Sequence, residues 1–283
     1  MIIDGKKISK KIKMQIKDEV IKLKKQGITP ELAVIMVGDN PASKIYVNNK
    51  KRACEETGIY SKEYFLPENT PQKELVDLIG KLNLDPKING ILVQLPLPHH
   101  IDEQKIAKNI TPEKDVDAFN PVNIGKLIIG NAKLLPCTPA GIMEILNHEK
   151  IFVTGKNCVI IGRSNIVGKP VALLLLQKDA TVTICHSKTK NLSEICKNAD
   201  IIISAVGKPC FITENMVKKN VVVIDVGITR KKDDTICGDV DFENVAPLAS
   251  HITPVPGGVG PMTIAMLMKN TLIATKLQNN LKI

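Results

Sequence analysis

The chain has 283 residues, 43% apolar and only 3% aromatic with no Trp, enough for one large or two ordinary domains cored by Ile, Leu and Val. Its net charge is +10, yet the Lys-rich stretch 1–25 carries Ile8, Ile12, Ile16, Val20 and Leu23 at helical spacing, so those charges read as the wet face of an amphipathic helix; no aromatic-rich or zinc-finger segment accompanies them, which argues against a nucleic-acid partner. The apolar runs are too short to span a bilayer, the start lacks a secretory apolar stretch, and the 7 scattered cysteines form no Cys-x-x-Cys pair and meet no His at zinc-ligand spacing, so the expectation is a cytoplasmic protein with reduced thiols, no membrane partner and no metal.

Leu32–Val37 predicts the first strand, ending at Gly38. A turn follows at Asp39-Asn40-Pro41, and Ser43 is a candidate N-cap for the next helix. Tyr46 and Lys50 are i and i+4 on that helix and share one face over the carboxyl end of a strand, the edge where α/β proteins bind ligands. A phenol beside a partly desolvated ammonium is a proton-handling pair; the competing reading is a solvated lysine on a Lys-rich helix. Thr70-Pro71 opens a predicted helix running to about Leu82, and Ile88–Leu95 reads as a buried strand.

A proline-punctuated strip runs from Pro96 through Pro121 to Pro139 and reads as an inter-domain crossing, with Thr138 or Pro139 starting a helix to about Asn147. Within it Glu113, Asp115 and Asp117 alternate. A calcium loop fails, because Ala118 stands where glycine is needed and Ile124 where the bidentate Glu is needed. An Asp here either binds the N–H edge of an amino-pyrimidine through its two oxygens or serves a turn or helix cap.

Cys158–Ile161 is a short apolar strand, and Gly162-Arg-Ser-Asn-Ile-Val-Gly168 opens a helix to Leu176 before the strand Thr181–Cys185. Strand, Gly-rich turn, helix, strand is the dinucleotide-binding order, although Ser164 replaces the second glycine of the usual turn and Gly168 comes one residue late. The strand ends at His186-Ser187-Lys188 without the acidic residue that holds the ribose of NAD; Arg163, Ser187 and Lys188 offer donors to a 2′-phosphate, so NADP is the expected cofactor, while His186 alone reads as a locally bonded residue. Strands follow at Ala199–Val206 and Val221–Val226. His251–Thr263, with Pro256, Gly257 and Gly258, is too rich in Pro and Gly for a strand or helix interior; it reads either as backbone that approaches a flat ligand or as a rigid linker. Met262–Leu277 predicts a last apolar-faced helix. The fold class is α/β: a first domain over 1–120, a Rossmann-type domain with a mainly parallel sheet over 121–261, and a helix in 262–283 that packs back on the first. A short-chain dehydrogenase also uses Tyr-x-x-x-Lys, but there the nucleotide turn precedes the pair, whereas Tyr46 comes before Gly162 here.

Taken in order, Val37–Lys50, Gly90–Pro98, Pro112–Asp117, Pro136–Pro139, Gly162–Gly168 and Pro254–Thr263 are similar to the signatures of the bifunctional methylenetetrahydrofolate dehydrogenase/methenyltetrahydrofolate cyclohydrolase family. The resemblance implies oxidation of 5,10-methylenetetrahydrofolate by NADP and hydrolysis of the product to 10-formyltetrahydrofolate, within one-carbon metabolism and purine biosynthesis. It also implies a homodimer whose two α/β domains flank a cleft, the first binding tetrahydrofolate derivatives and the second NADP. By motif, Lys50 is central to proton transfer, Tyr46 stacks on or orients the folate, Gln94 bonds Lys50, and Asp117 binds the pterin edge. The glycine-rich Pro256–Gly258 borders substrate, and Gly162, Arg163, Ser164, Ser187 and Ile228 line the NADP site. Two departures are Ala118 and Cys210, where the family usually has glycine; the first bears on the backbone beside Asp117, the second on the width of the nucleotide domain. A member that keeps only one of the two activities is the alternative.

Overall fold

Helix α1, Gly5–Lys25, buries Ile8, Ile16, Val20 and Leu23 and half-buries Ile12, the stripe expected from the spacing. The computed structural model describes residues 1–230 and 235–283. It divides into one unit of Lys10–Cys137 with Ile264–Ile283 and another of Met1–Ser9 with Thr138–Thr263. No helix among the described residues is long and apolar enough to cross a membrane.

In the first unit the strands β1 (Glu31–Val37), β2 (Tyr60–Leu66) and β3 (Gly90–Val93) form a parallel sheet of order β2-β1-β3. The central β1 is buried along almost its whole length, which explains its unbroken apolar run. At the sheet's edge, β2 mixes Lys62 and Glu63 with Tyr64 and Phe65, so no apolar run marks it in the sequence. Helix α2, Pro41–Thr57, is capped by Asn40 and not by Ser43 as expected: the Asn40 side chain accepts from Ser43 N at 3.1 Å, and Pro41 supplies a first-turn residue that needs no hydrogen-bond acceptor. Helix α3, Gln72–Leu84, packs Leu75 and Ile79 against Ile35 and Ile91.

The proline strip is more regular than expected. Asp102 caps α4, Glu103–Asn109, and Asn120 caps α5, Pro121–Ile128, each through its side-chain oxygen. A proline at a helix start is compatible with a helix, so Pro121 marks a beginning and not a break.

Apart from its first residue, helix α6, Cys137–His148, belongs to the second unit. A parallel sheet follows, built from β4 (Asn157–Ile161), β5 (Thr181–Cys185), β6 (Ile201–Ser204) and β7 (Val221–Asp225). Helices α7 (Gly168–Leu176) and α8 (Leu192–Lys197) alternate with these strands. A small antiparallel ribbon joins β8 (Thr229–Arg230) to β9 (Ile236–Cys237), and the short helix α9, Phe242–Val245, leads to β10 (Ala249–Ile252). The large sheet has the order β10-β7-β6-β4-β5, the topology that puts a ligand crevice at the carboxyl ends of the strands.

The segment His251–Thr263 departs from its expectation at both ends. Its first two residues close β10, and its last five begin α10, Val259–Gln278, with Pro261 in the first turn where a missing N–H costs nothing. The stretch of α10 from Ile264 belongs to the first unit, where Gln278 Nε2 donates to the carbonyls of Asn89 (2.8 Å) and Glu113 (3.0 Å).

Candidate active site

In the first unit, Lys50 lies in the third turn of α2 and Gln94 directly follows β3. Backbone pairing of Gln94 N with Ile35 O at 2.8 Å keeps Gln94 in the sheet's frame. Its side-chain N–H donates to Leu95 O at 2.6 Å, which leaves its oxygen to accept from Lys50 Nζ at 2.9 Å. Lys50 is half-buried, and desolvation holds its ammonium below the ordinary lysine range, partly opposed by Asp117 and Cys137. Tyr46 stands one turn earlier on α2 and is 41% exposed, available to a flat ligand.

Asp117 interacts electrostatically with this lysine and with Cys137, whose thiol donates to Val116 O at 3.3 Å; burial raises the Asp117 carboxyl, while the lysine and the thiol draw it back down. Cys137 is buried, and its thiol is pushed well above the usual range by burial and by Asp117. Lys50, Gln94, Asp117 and Cys137 therefore form one desolvated cluster carrying a cation, a carboxylate and a fixed amide. The sequence reading found three of the four. Cys137 went unassigned within Pro-Cys-Thr-Pro, although a small thiol between two prolines is a restrained position next to a helix start.

The alternating acids have separate tasks. Asp115 is buried and accepts from Phe119 N (3.2 Å), Asn120 N (2.8 Å) and Asn123 Nδ2 (2.8 Å), shaping the turn that follows Asp117. Ala118 sits in that turn at φ +58°, so the left-handed backbone glycine favours is kept by an alanine, at a cost of about 1 kcal/mol. Glu113 is exposed and offers its carbonyl to α10.

In the second unit, Gly162 follows β4 at φ +127°, and a side-chain carbon there would come within 2.5 Å of Ala205 O. At Gly168 a side-chain carbon would collide with Gly162 O, so both glycines are required by the turn. Ser164 Oγ accepts from Val167 N at 3.1 Å and Gly168 N at 3.3 Å, so the serine that replaces a glycine organises the start of α7. Because Ile161 and Cys185 are register partners, Arg163 and Ser187 emerge at the same sheet edge, and both are exposed. His186 is tied locally, its Nδ1 accepting from Lys188 N at 3.2 Å. Ile228 is 49% exposed just past β7. Pro256 is exposed, Gly257 is half-buried at φ +108°, and Gly258 is buried with its carbonyl against Gly5. Cys210 is exposed at φ +51°.

Two buried carboxylates that the sequence reading missed hold the loops at this edge. Asp225 accepts from Gly227 N (2.9 Å), Asp239 N (3.0 Å) and Val240 N (2.9 Å). Asp239 in turn accepts from Ser204 Oγ (3.0 Å), Val206 N (2.8 Å) and Lys208 N (2.8 Å). An Asp closing the apolar run of β7 was the available signal, since a buried acid needs several donors.

Burial pushes both Asp115 and Asp225 up from 3.8 to about 6. Between those values the folded chain binds more protons than the unfolded one, so each acid contributes stability at low pH that is lost as pH rises through about 6. Asp115→Asn is accordingly expected to lose more stability at about pH 5 than at about pH 7.5, by about 1 kcal/mol. Denaturant titrations of variant and wild type check this, and an equal deficit at both values would contradict it.

The arrangement is that of a two-unit α/β enzyme, with a dinucleotide-type sheet edge in one unit and a desolvated cluster of titratable groups in the other. The tetrahydrofolate dehydrogenase/cyclohydrolase catalytic-domain family matches residues 3–117, and the NAD(P)-binding-domain family of the same enzymes matches residues 136–279. The chain belongs to the tetrahydrofolate dehydrogenase/cyclohydrolase family. Bifunctional protein FolD of Acetivibrio thermocellus is 60% identical over 281 residues, spanning 99% of either chain. The crystal structure of the bifunctional FolD dehydrogenase/cyclohydrolase of Campylobacter jejuni is 52% identical, covers 99% of both chains and superposes with a TM-score of 0.97. The Trypanosoma brucei enzyme, complexed with NADP cofactor and an inhibitor, is 39% identical over 98% of this chain and 97% of its own, with a TM-score of 0.94.

Proposed function

We propose that this chain oxidises 5,10-methylenetetrahydrofolate with NADP to the 5,10-methenyl cation and adds water to that cation, giving 10-formyltetrahydrofolate and a proton. The observation that carries the reading is the 2.9 Å bond from Lys50 to Gln94 in a desolvated cluster with Asp117 and Cys137, in a chain of this family. Lys50 takes a proton from the attacking water and returns one to the ring nitrogen as the ring opens. A cationic substrate beside it favours the neutral amine, and Gln94 holds the amine in place. Asp117 receives the N–H edge of the pterin through its two oxygens, and the exposed ring of Tyr46 stacks on the folate.

The residues of the second unit fit a phosphorylated dinucleotide: a turn that only glycines permit at positions 162 and 168, and Arg163 and Ser187 at one edge, with no acid in the sequence directly after β5. NADP supplies the hydride acceptor. Ile228 borders the cofactor, and Pro256–Gly258 borders substrate. We read the protein as a cytoplasmic homodimer that feeds one-carbon units toward purine biosynthesis.

A coupled assay with methylenetetrahydrofolate and either NADP or NAD tests the reading, with loss of methenyl absorbance followed alongside. NADPH formation without hydrolysis above the solvent rate would leave only the dehydrogenase. Replacing Arg163 by Ala is expected to raise the KM for NADP about tenfold while changing that for NAD little, since the guanidinium meets only the 2′-phosphate. Equal losses for both cofactors would remove Arg163 from that role.

A further inference from the structure

Asn270 is buried on α10, a helix whose neighbouring positions Met266, Leu267 and Met268 are apolar and buried. A buried amide on such a face must find partners, and this one does. Its Nδ2 donates to Val116 O at 2.8 Å and to Leu135 O at 2.7 Å, so each of its two N–H bonds has a carbonyl. It also lies 3.7 Å from Cys137 Sγ. Val116 directly precedes Asp117, and Leu135 stands two residues before Cys137. Val116 O additionally takes the Cys137 thiol at 3.3 Å, so one carbonyl joins both segments.

We propose that Asn270 is a positioning residue for the reaction: by clamping the backbone at Val116 and Leu135 it sets the Asp117 carboxylate and the Cys137 thiol against Lys50. The inference rests on the functional reading above. Its chemistry follows from what faces the lysine. Asp117 and Cys137 are the groups that act on Lys50 charge, and Asp115 interacts electrostatically with both of them. Asp117 opposes the desolvation that makes Lys50 a base. If the clamp is cut, Asp117 withdraws and that opposition weakens, so the lysine deprotonates at lower pH.

Asn270→Leu keeps the bulk and removes both donors; Asn270→Ser is a second, smaller variant that carries the test should the first not fold. Thr271→Val is the control, because Thr271 is equally buried on the same helix but bonds only Leu267 O, within the helix. For both Asn270 variants the hydrolytic kcat should fall at least tenfold, the KM for folate should rise severalfold and the KM for NADP should hold. The acidic limb of the hydrolysis pH profile should move to lower pH. Thr271→Val should lower the melting temperature and leave the profile in place. An unchanged profile in the Asn270 variants, or an equal shift in Thr271→Val, overturns the inference while wild-type hydrolysis still stands. Absence of hydrolysis in the wild type would instead overturn the functional reading, and the inference with it.

Discussion

Lys50→Met is expected to lower the hydrolysis of methenyltetrahydrofolate by about two to four orders of magnitude, the usual contribution of a positioned acid–base group, and to leave the fold intact. Methionine fills the same half-buried space without a proton to give or take. Gln94 then loses its partner, but its own N–H bond to Leu95 O remains to hold it. Dehydrogenation should fall less, because hydride leaves the methylene carbon without a protein acid or base and depends on alignment. Lys50→Arg should not restore hydrolysis, since a guanidinium stays protonated at any working pH. Stopped-flow traces of methenyl decay, corrected for the solvent rate, decide the matter: wild-type decay in Lys50→Met would remove Lys50 from the chemistry.

The second large effect is at Asp117. Asn in its place keeps the shape but turns one acceptor into a donor, which would confront the N–H edge of the pterin. The KM for folate should rise roughly tenfold to a hundredfold, the cost of one buried unmatched polar contact, with the KM for NADP unchanged. Losing the carboxylate also removes the charge that holds the Lys50 ammonium up, so the hydrolytic profile should move to lower pH. Unchanged folate binding in a folded Asp117→Asn variant would return this residue to a turn-forming role, the one Asp115 performs with its three donors.

What could be read along the chain was whatever repeats locally. The helical stripe of α1, the buried run of β1 and the strand–turn–helix around Gly162 each depend on spacing within one element, and each stands in the structure. Tyr46 and Lys50 share one helix, so their proximity was legible; so was the absence of an acid after β5. The edge strand β2 was not legible, because an edge exposes charged side chains that break the apolar signal. Helices α4 and α5 were hidden in a strip that reads as proline-punctuated, although α4 lies between its prolines and Pro121 fits the first turn of α5.

The alternating acids mark the limit most clearly. Composition and periodicity treat Asp115 and Asp117 alike, yet one is surrounded by backbone and amide donors while the other meets a cation and a thiol. The sequence by itself determined the α/β class, the family, the turn glycines and the candidate acid–base side chains, because these depend on residue type and short-range order. Only the tertiary structure decided which of those groups are desolvated together: Lys50 with Gln94 across 44 positions, and Asn270 with Val116 across 154. The reason is that a lysine's basicity and a carboxylate's role depend on the dielectric and donors around them, and packing between distant segments supplies both.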